Sequence, residues 1–375
     1  MSSPDRIIVV GANGLVGQRV VGELVRAGAP IALAVRKPRP LDGIDAPVHA
    51  IEIADESSLA RAFAGASVVI NCAGPLRDTA APVLVAAMTA GAHYVDVGGE
   101  QTVLSAIMQR HESTARKAGL VAVPGAGLDC VVGDLAAAWA AEHLLGAVDE
   151  GEAVRSEPAP RLTEDQPFDE VTVSYVFDEL ALSAGSQRAL FGAAFERPLI
   201  WRRDRWEPGR AGDHRAINAG PALGGQRDAI AYAAGDALTV PRHVAAQLVA
   251  TYASTTRRAA TAGALRLLAR ALPLVPRAAS ELLAPYAAPD TDYTRTQFAV
   301  VAQTRRSFAA AQLVVRGHDV YRTTAAITAW IARTIAMRGA GPVGMRAPGE
   351  LFRAAPALRE IASAAGLTIE PSFGS

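Results

Sequence analysis

The first chemistry this sequence offers lies in Gly11-Ala12-Asn13-Gly14-Leu15-Val16-Gly17, a G-x-x-G-x-x-G turn. Gly11 can take the positive φ of a tight turn, and Gly14 lets the backbone approach a pyrophosphate. Gly17 lets a following helix lie close to the preceding strand, and that helix N-terminus offers unpaired N–H groups and positive potential to an anion. A dinucleotide is the expected ligand. Its kind is set by Arg36 and Lys37, at the end of the next strand, where NAD-binding turns carry an acid for the ribose hydroxyls. Two adjacent cations suit the 2′-phosphate of NADP(H) instead, through charge-assisted hydrogen bonds. Asp55, after the third strand, fits either an adenine contact or a helix N-cap.

Other reactive side chains narrow the chemistry. A short-chain dehydrogenase shares this glycine spacing, but it needs a Tyr four residues before a Lys. The only lysines, Lys37 and Lys117, are preceded at that distance by Leu33 and Ser113, so that catalyst is excluded. Cys130 would be the nucleophile of a semialdehyde dehydrogenase, activated by a helix N-terminus. The required base is missing at a suitable place, because His143 projects from well down the helix. Cys72 and Cys130 make no disulfide framework, and the seven histidines show no metal-ligand spacing, so no metal is expected. Asp129 is a candidate acid or substrate-orienting group, or else an N-cap; Asp96 and Glu100 either hold a substrate amine or scaffold loops.

Positioning these residues requires a particular frame. Ile7 to Val10, Ile31 to Val35, Val48 to Ile53, Ser67 to Asn71, His93 to Val97 and Gly119 to Val123 read as strands, several of them continuous apolar runs. Between them Gln18 to Arg26, Glu56 to Ala64, about Thr79 to Ala90 and Gln101 to Ala118 read as helices. This alternation predicts an α/β fold with a Rossmann-type, doubly wound parallel sheet. Ligands of such sheets lie beyond the carboxyl ends of the strands. Asp55, the turn Cys72-Ala73-Gly74-Pro75, Asp96 to Glu100 and Pro124 to Asp129 therefore border one crevice. After a helix over Asp134 to Leu145 and an exposed acidic loop, Asp149 to Pro167, the pattern changes. Glu170 to Phe177 alternates as a strand with one wet face; Leu199 to Arg203 is another, and Thr296 to Gln303 with Ala310 to Val315 a hairpin. Thr323 to Met337 is an apolar helix, and Glu350 to Ala365 a closing helix before a short extended tail.

The formal net charge is zero, which argues against a nucleic-acid partner. No apolar run reaches a membrane span, and no signal peptide is visible, so a cytoplasmic protein is expected. The alanine- and leucine-rich stretch 259–287 carries interspersed arginines. It suits helices covering the sheet or meeting a second subunit in a homodimer, with peripheral lipid contact as the other reading.

Several blocks together resemble the saccharopine dehydrogenase-like reductases. They are Val69-Ile70-Asn71-Cys72-Ala73-Gly74-Pro75, Tyr94-Val95-Asp96-Val97-Gly98-Gly99-Glu100, Gly127-Leu128-Asp129 with Gly133-Asp134-Leu135, and Gly317-His318-Asp319-Val320-Tyr321 with Thr324-Ala325. They run in family order to Ala347-Pro348-Gly349-Glu350-Leu351-Phe352, and the chain is similar to the shorter group that includes trans-acting enoyl reductases. Departures fall in the substrate region: Ser183-Ala184-Gly185-Ser186 replaces a Ser-Gly-Gly-Thr loop, and Cys130-Val131-Val132 replaces a Ser then Pro.

The resemblance implies hydride transfer from NADPH to an imine or conjugated double bond of a small-molecule or acyl-type substrate. It also implies a Rossmann domain of residues 1–130 with 320–375 and an inserted α+β domain, 131–319. Ser183, Ser186 and Tyr321 would then line the cleft with Asp96 and Glu100. A non-catalytic NADP sensor or scaffold is the alternative from another class.

Overall fold

A computed structural model describes residues 6–39, 41–157, 161–163, 166–178, 183, 197–210, 212–223, 225–255, 293–338 and 341–373. The chain starts by alternating β1 (Ile7–Val10), α1 (Leu15–Arg26), β2 (Ile31–Val35), β3 (Val48–Ala50), α2 (Glu56–Phe63), β4 (Val68–Asn71), α3 (Leu76–Thr89), β5 (His93–Asp96), α4 (Gln101–Ala118) and β6 (Val121–Val123). Every pairing among these strands is parallel. Their apolar runs are buried on both faces: Ile7, Val9, Val68 and Ile70 join one core, and Ile8, Val10, Val69 and Tyr94 another.

Next comes α5 (Leu128–Leu144), six residues earlier than the periodicity of Asp134 to Leu145 suggests. Its residues from Cys130 to Glu142 are all buried, so no polar face marks its start. It lies on a second sheet, built from β7 (Glu170–Phe177), β8 (Leu199–Arg202), β9 (Arg205–Pro208), β10 (His214–Asn218), β11 (Gln226–Ala231), a short α6 (Asp236–Thr239), β12 (Leu248–Thr255), and the hairpin β13 (Gln297–Arg306) and β14 (Ala309–His318). The expected wet face of β7 is not wet. Val171, Val173 and Tyr175 face the core shared with α5, and Val176 joins a second cluster with Ile217, Leu223 and Tyr252. Thr172 and Ser174 are buried as well, so polarity misread a covered face as a solvated one.

The chain then returns. α7 (Val320–Arg338) packs on α1, β4 and β5, and β15 (Gly344–Met345) adds to β6. The first sheet therefore runs β15-β6-β5-β4-β1-β2-β3, with its order reversing between β1 and β4. The closing helix is two: α8 (Pro348–Leu351) and α9 (Ala354–Ala365), separated where extended Phe352 bridges to Val154. That bridge also pins part of the acidic loop. The tail is extended, as expected: β16 (Thr368–Phe373) pairs antiparallel with β14 in the second sheet. Pro371 is tolerated there because β16 is an edge strand. Residues 259–287, with their expected helices and lipid contact, lie outside the described residues. Among the described residues no helix is long and apolar enough to cross a membrane.

Candidate functional site

The glycine turn is built by close approach. Gly11 has φ +73, and a Cβ on it would stand 2.8 Å from the Cα and N of Ala73. A Cβ on Gly17 would stand 2.2 Å from the Gly11 carbonyl oxygen, so α1 lies directly against the turn. Gly14 is the N-cap of α1 and no side chain caps it, which leaves the first-turn N–H groups open to an anion. Asn13 Nδ2 donates to the Lys37 carbonyl (3.1 Å) and Arg39 Nη2 to the Asn13 carbonyl (3.3 Å), tying the turn to the end of β2. Asn13 Oδ1 is buried without a partner. Ala12 is buried, while Leu15 and Val16 are half-buried on the first turn of α1. Arg36 and Lys37 are exposed immediately after β2. A bare glycine cradle, a helix N-terminus without a side-chain cap and two exposed cations fit a dinucleotide with a 2′-phosphate.

Asp55 caps α2: Oδ1 accepts from the Ser57 N–H (2.9 Å) and hydroxyl (2.7 Å), and these bonds hold its carboxyl below the usual range. Across the crevice, the turn Cys72-Ala73-Gly74-Pro75 leads into α3 and packs its backbone on Gly11. The half-buried Cys72 has its thiol pushed up by burial.

Asp96 stands among the strand-end loops. It is buried, and Oδ1 accepts from the N–H groups of Gly98 (2.9 Å) and Gly125 (2.9 Å), fastening two strand-end loops together. Burial raises its carboxyl despite those bonds. Glu100 is the N-cap residue of α4, half-buried beside these loops.

Asp129 is not an N-cap. Gly127 takes that position, and Asp129 sits inside α5 at a kink with φ −80 and ψ 20. A Cβ on Gly99 would stand 1.9 Å from Asp129 Oδ2, so the carboxyl occupies the space between the β5 and β6 loops. Burial raises its affinity for a proton. The neighbouring Cys130 is fully buried, its Sγ where Cβ atoms on Gly125 and Gly235 would be (2.9 and 2.1 Å). Its thiol is pushed well up by burial, which disfavours the thiolate that a nucleophile needs.

The second sheet supplies groups that no local pattern marks. Tyr175 hydroxyl donates to Asp236 Oδ2 (2.6 Å), while buried Asp236 Oδ1 has no partner; burial drives that carboxyl well up. Tyr232 meets Tyr175 edge-on with centroids 6.3 Å apart. These residues are distant from Asp129 in sequence, and only the Gly235-Asp236 turn hints at them. Ser183 and Tyr321 do come together: the Ser183 N–H donates to the buried Tyr321 hydroxyl (2.6 Å). Arg19 of α1 stands 5.9 Å from the Tyr321 ring centroid. Ser186 lies outside the described residues, among which no group of three His, Cys, Asp or Glu could hold a metal.

A parallel sheet in the order 3-2-1-4-5-6, with a glycine turn after β1 and ligand loops at its switch point, defines a Rossmann-type dinucleotide-binding protein. Residues 7–123 match the family model of the saccharopine dehydrogenase NADP binding domain. The chain is 32% identical over 146 residues to a "lipid droplet localized protein" of Caenorhabditis elegans, covering 34% of each. It is 26% identical over 166 residues to a human saccharopine dehydrogenase-like oxidoreductase, covering 38% of this chain and 39% of the relative. Over 140 residues it is 33% identical to a protein of Mycobacterium tuberculosis named as a candidate trans-acting enoyl reductase, covering 34% and 33%. The chain thus spans about a third of the length of these curated relatives. Over its whole length the fold is that of the L-Glu-forming saccharopine dehydrogenase of Saccharomyces cerevisiae, with a TM-score of 0.63, 13% identity, and 99% of this chain and 100% of that one covered.

Proposed function

We propose that the chain is an NADPH-dependent reductase acting on an imine or conjugated C=C of a small-molecule or acyl-type substrate. The observation that carries this reading is Asp129, a carboxyl with raised proton affinity set between the carboxyl-end loops of β5 and β6. The likeness to a relative named for enoyl reduction supports the substrate class. Gly11 to Gly17 and the start of α1 would hold the pyrophosphate, Arg36 and Lys37 the 2′-phosphate, Asp55 the adenine side, and Cys72 to Pro75 the opposite wall. Bound there, NADPH supplies the hydride.

The chain's own residues position the acceptor and move a proton. Asp129 donates its proton to the imine nitrogen, or to the carbon beside the carbonyl, as hydride reaches the acceptor carbon. The carboxylate then regains a proton from solvent. Glu100, Ser183 and Tyr321 border the substrate. In this reading residues 1–130 with 320–367 bind the cofactor, and 131–319 with β16 cover the substrate. A cytoplasmic homodimer belongs to the same reading.

Asp129→Asn should lower NADPH oxidation with candidate imines, enones and acyl thioesters by about 10²–10⁴-fold, the usual contribution of a positioned acid. NADPH affinity should stay within about twofold, since the carboxyl lies off the glycine turn. Unchanged turnover removes Asp129 from the reaction; binding without turnover on every class favours a sensor.

A further inference from the structure

About 13 residues beyond Asp129 on α5, some 20 Å along a helix rising 1.5 Å per residue, a second polar site opens. It is a cavity of about 130 Å³ walled by Glu142 of α5, Asp149 and Arg155 of the following segment, His243, and the backbone of Gly349. That volume approaches the roughly 150 Å³ cavities that hold a benzene-sized guest. Glu142 is 3% exposed, and its Oε2 is buried with no hydrogen-bond partner among the described residues. Oε1 pairs with Arg155 Nη2 at 3.6 Å, and the Asp149 backbone N–H also acts on the carboxylate. Arg155 is shared, since its Nη1 lies 3.4 Å from Asp149 Oδ2 and its Nε donates to the Phe352 carbonyl at 3.3 Å. Asp149 in turn holds Arg353 Nε at 2.8 Å.

His243, 2% exposed, sets the hydrogen-bond sense of the site. Its Nε2 is 2.9 Å from Asp134 Oδ1, and Asp134 Oδ2 accepts from the Gly349 N–H at 2.7 Å. Asp134 takes up Nε2, which leaves Nδ1 as the ring nitrogen for a further partner. The site thus holds a carboxylate oxygen without a donor, an imidazole nitrogen and the Asp149 carboxylate, against one cation already divided among three partners. Its carboxylate and imidazole acceptors outnumber the N–H donors that Arg155 and the backbone bring to it. A metal does not meet the need, because no group of three ligating side chains exists among the described residues. An imidazole lone pair also suits an N–H donor better than an alkali ion.

We propose that this cavity binds a small primary ammonium group, with Glu142 Oε2 as its principal acceptor and His243 as its second. The group donates to both, and its charge balances two carboxylates, Glu142 and Asp149, that share Arg155. Glu142 is pushed up to about 7 by burial, against the pull of Arg155. The charged groups that face it are Arg155, Asp149 and His243, with Asp134 and Arg353 behind them. Occupation by a cation therefore favours the ionised carboxylate and expels a proton from the half-protonated site near neutral pH.

The test uses the full chain and methylammonium chloride, with tetramethylammonium chloride as a probe of equal charge and no N–H. Methylammonium should raise the unfolding temperature at pH 8 and less at pH 6, while tetramethylammonium should not. Calorimetry at pH 7 in two buffers of different ionisation heat should register proton release. E142Q, checked for unchanged NADPH affinity, should bind methylammonium at least tenfold more weakly. The proposal is overturned by equal effects of the two cations, by absence of proton release in the parent protein, or by E142Q binding within twofold of the parent. The two parent-protein measurements decide the matter even if E142Q does not fold.

Discussion

Asp129 Oδ2 fills the space that a side chain at position 99 would need, since a Cβ on Gly99 would stand 1.9 Å from it. A glycine in the β5 loop is thus the seat of a carboxyl from α5. Gly99→Ala must displace the carboxyl by more than an ångström to reach normal contact. Such a misplacement of a reacting group costs on the order of 10²-fold in rate. Turnover should fall accordingly, with NADPH affinity preserved in a fluorescence titration. An alanine variant with parental turnover would show that this placement of Asp129 does not matter.

The glycine turn makes a contrasting prediction about stability. Gly11 and Gly28 both have positive φ, at +73 and +67, but only Gly11 has backbone in the way, with Ala73 atoms at 2.8 Å. Gly28→Ala carries the left-handed penalty alone, about 1–2 kcal/mol. Gly11→Ala adds overpacking, for a total of about 2–5 kcal/mol. Urea unfolding of the two variants measures the difference; equal losses would contradict the contact.

Cofactor preference should turn on the end of β2. Arg36→Asp removes a cation and adds a ribose acceptor. NADPH affinity should drop by about 10–100-fold, the scale of a charge-assisted hydrogen bond, while NADH affinity rises. Titration with both cofactors checks this, and undiminished NADPH binding would refute the assignment.

Glu142 gives a pH dependence of known sign. Its folded-state carboxyl, raised from 4.5 to about 7, binds a proton more tightly than in the unfolded chain. The stabilisation from that proton is full below about pH 4.5 and is lost as pH rises through 7. E142Q should therefore gain stability over the parent between pH 5 and pH 8, by up to about 3 kcal/mol at the upper end. Chemical denaturation at several pH values tests it; a parallel pair of stability curves would exclude the linkage.

The first sheet was legible because its strands are buried on both faces and so appear as unbroken runs such as Ile7-Ile8-Val9-Val10. The second was legible only in part. Glu170 to Phe177 stood out by alternation, whereas His214–Asn218 and Gln226–Ala231 are polar, alanine-bearing strands with no period to read. Thr368–Phe373 contains a proline and passes for a tail. At the site, the glycine turn was readable because its chemistry is local. Asp129 was ambiguous because helix caps and acids share residue types. The bond between Tyr175 and Asp236, and that between Asp134 and His243, join residues far apart in the chain, and no spacing rule reaches them.

The two sheets each close with a strand from the C-terminal stretch, β15 beside β6 and β16 beside β14. On the ribosome, β6 leaves the exit tunnel long before β15, and β14 before β16. Both sheets therefore wait with an open edge until residues 344–373 have been made, and unpaired edges are templates for association with other chains. The demand on molecular chaperones should accordingly end late in synthesis, when this one stretch pairs with both β6 and β14.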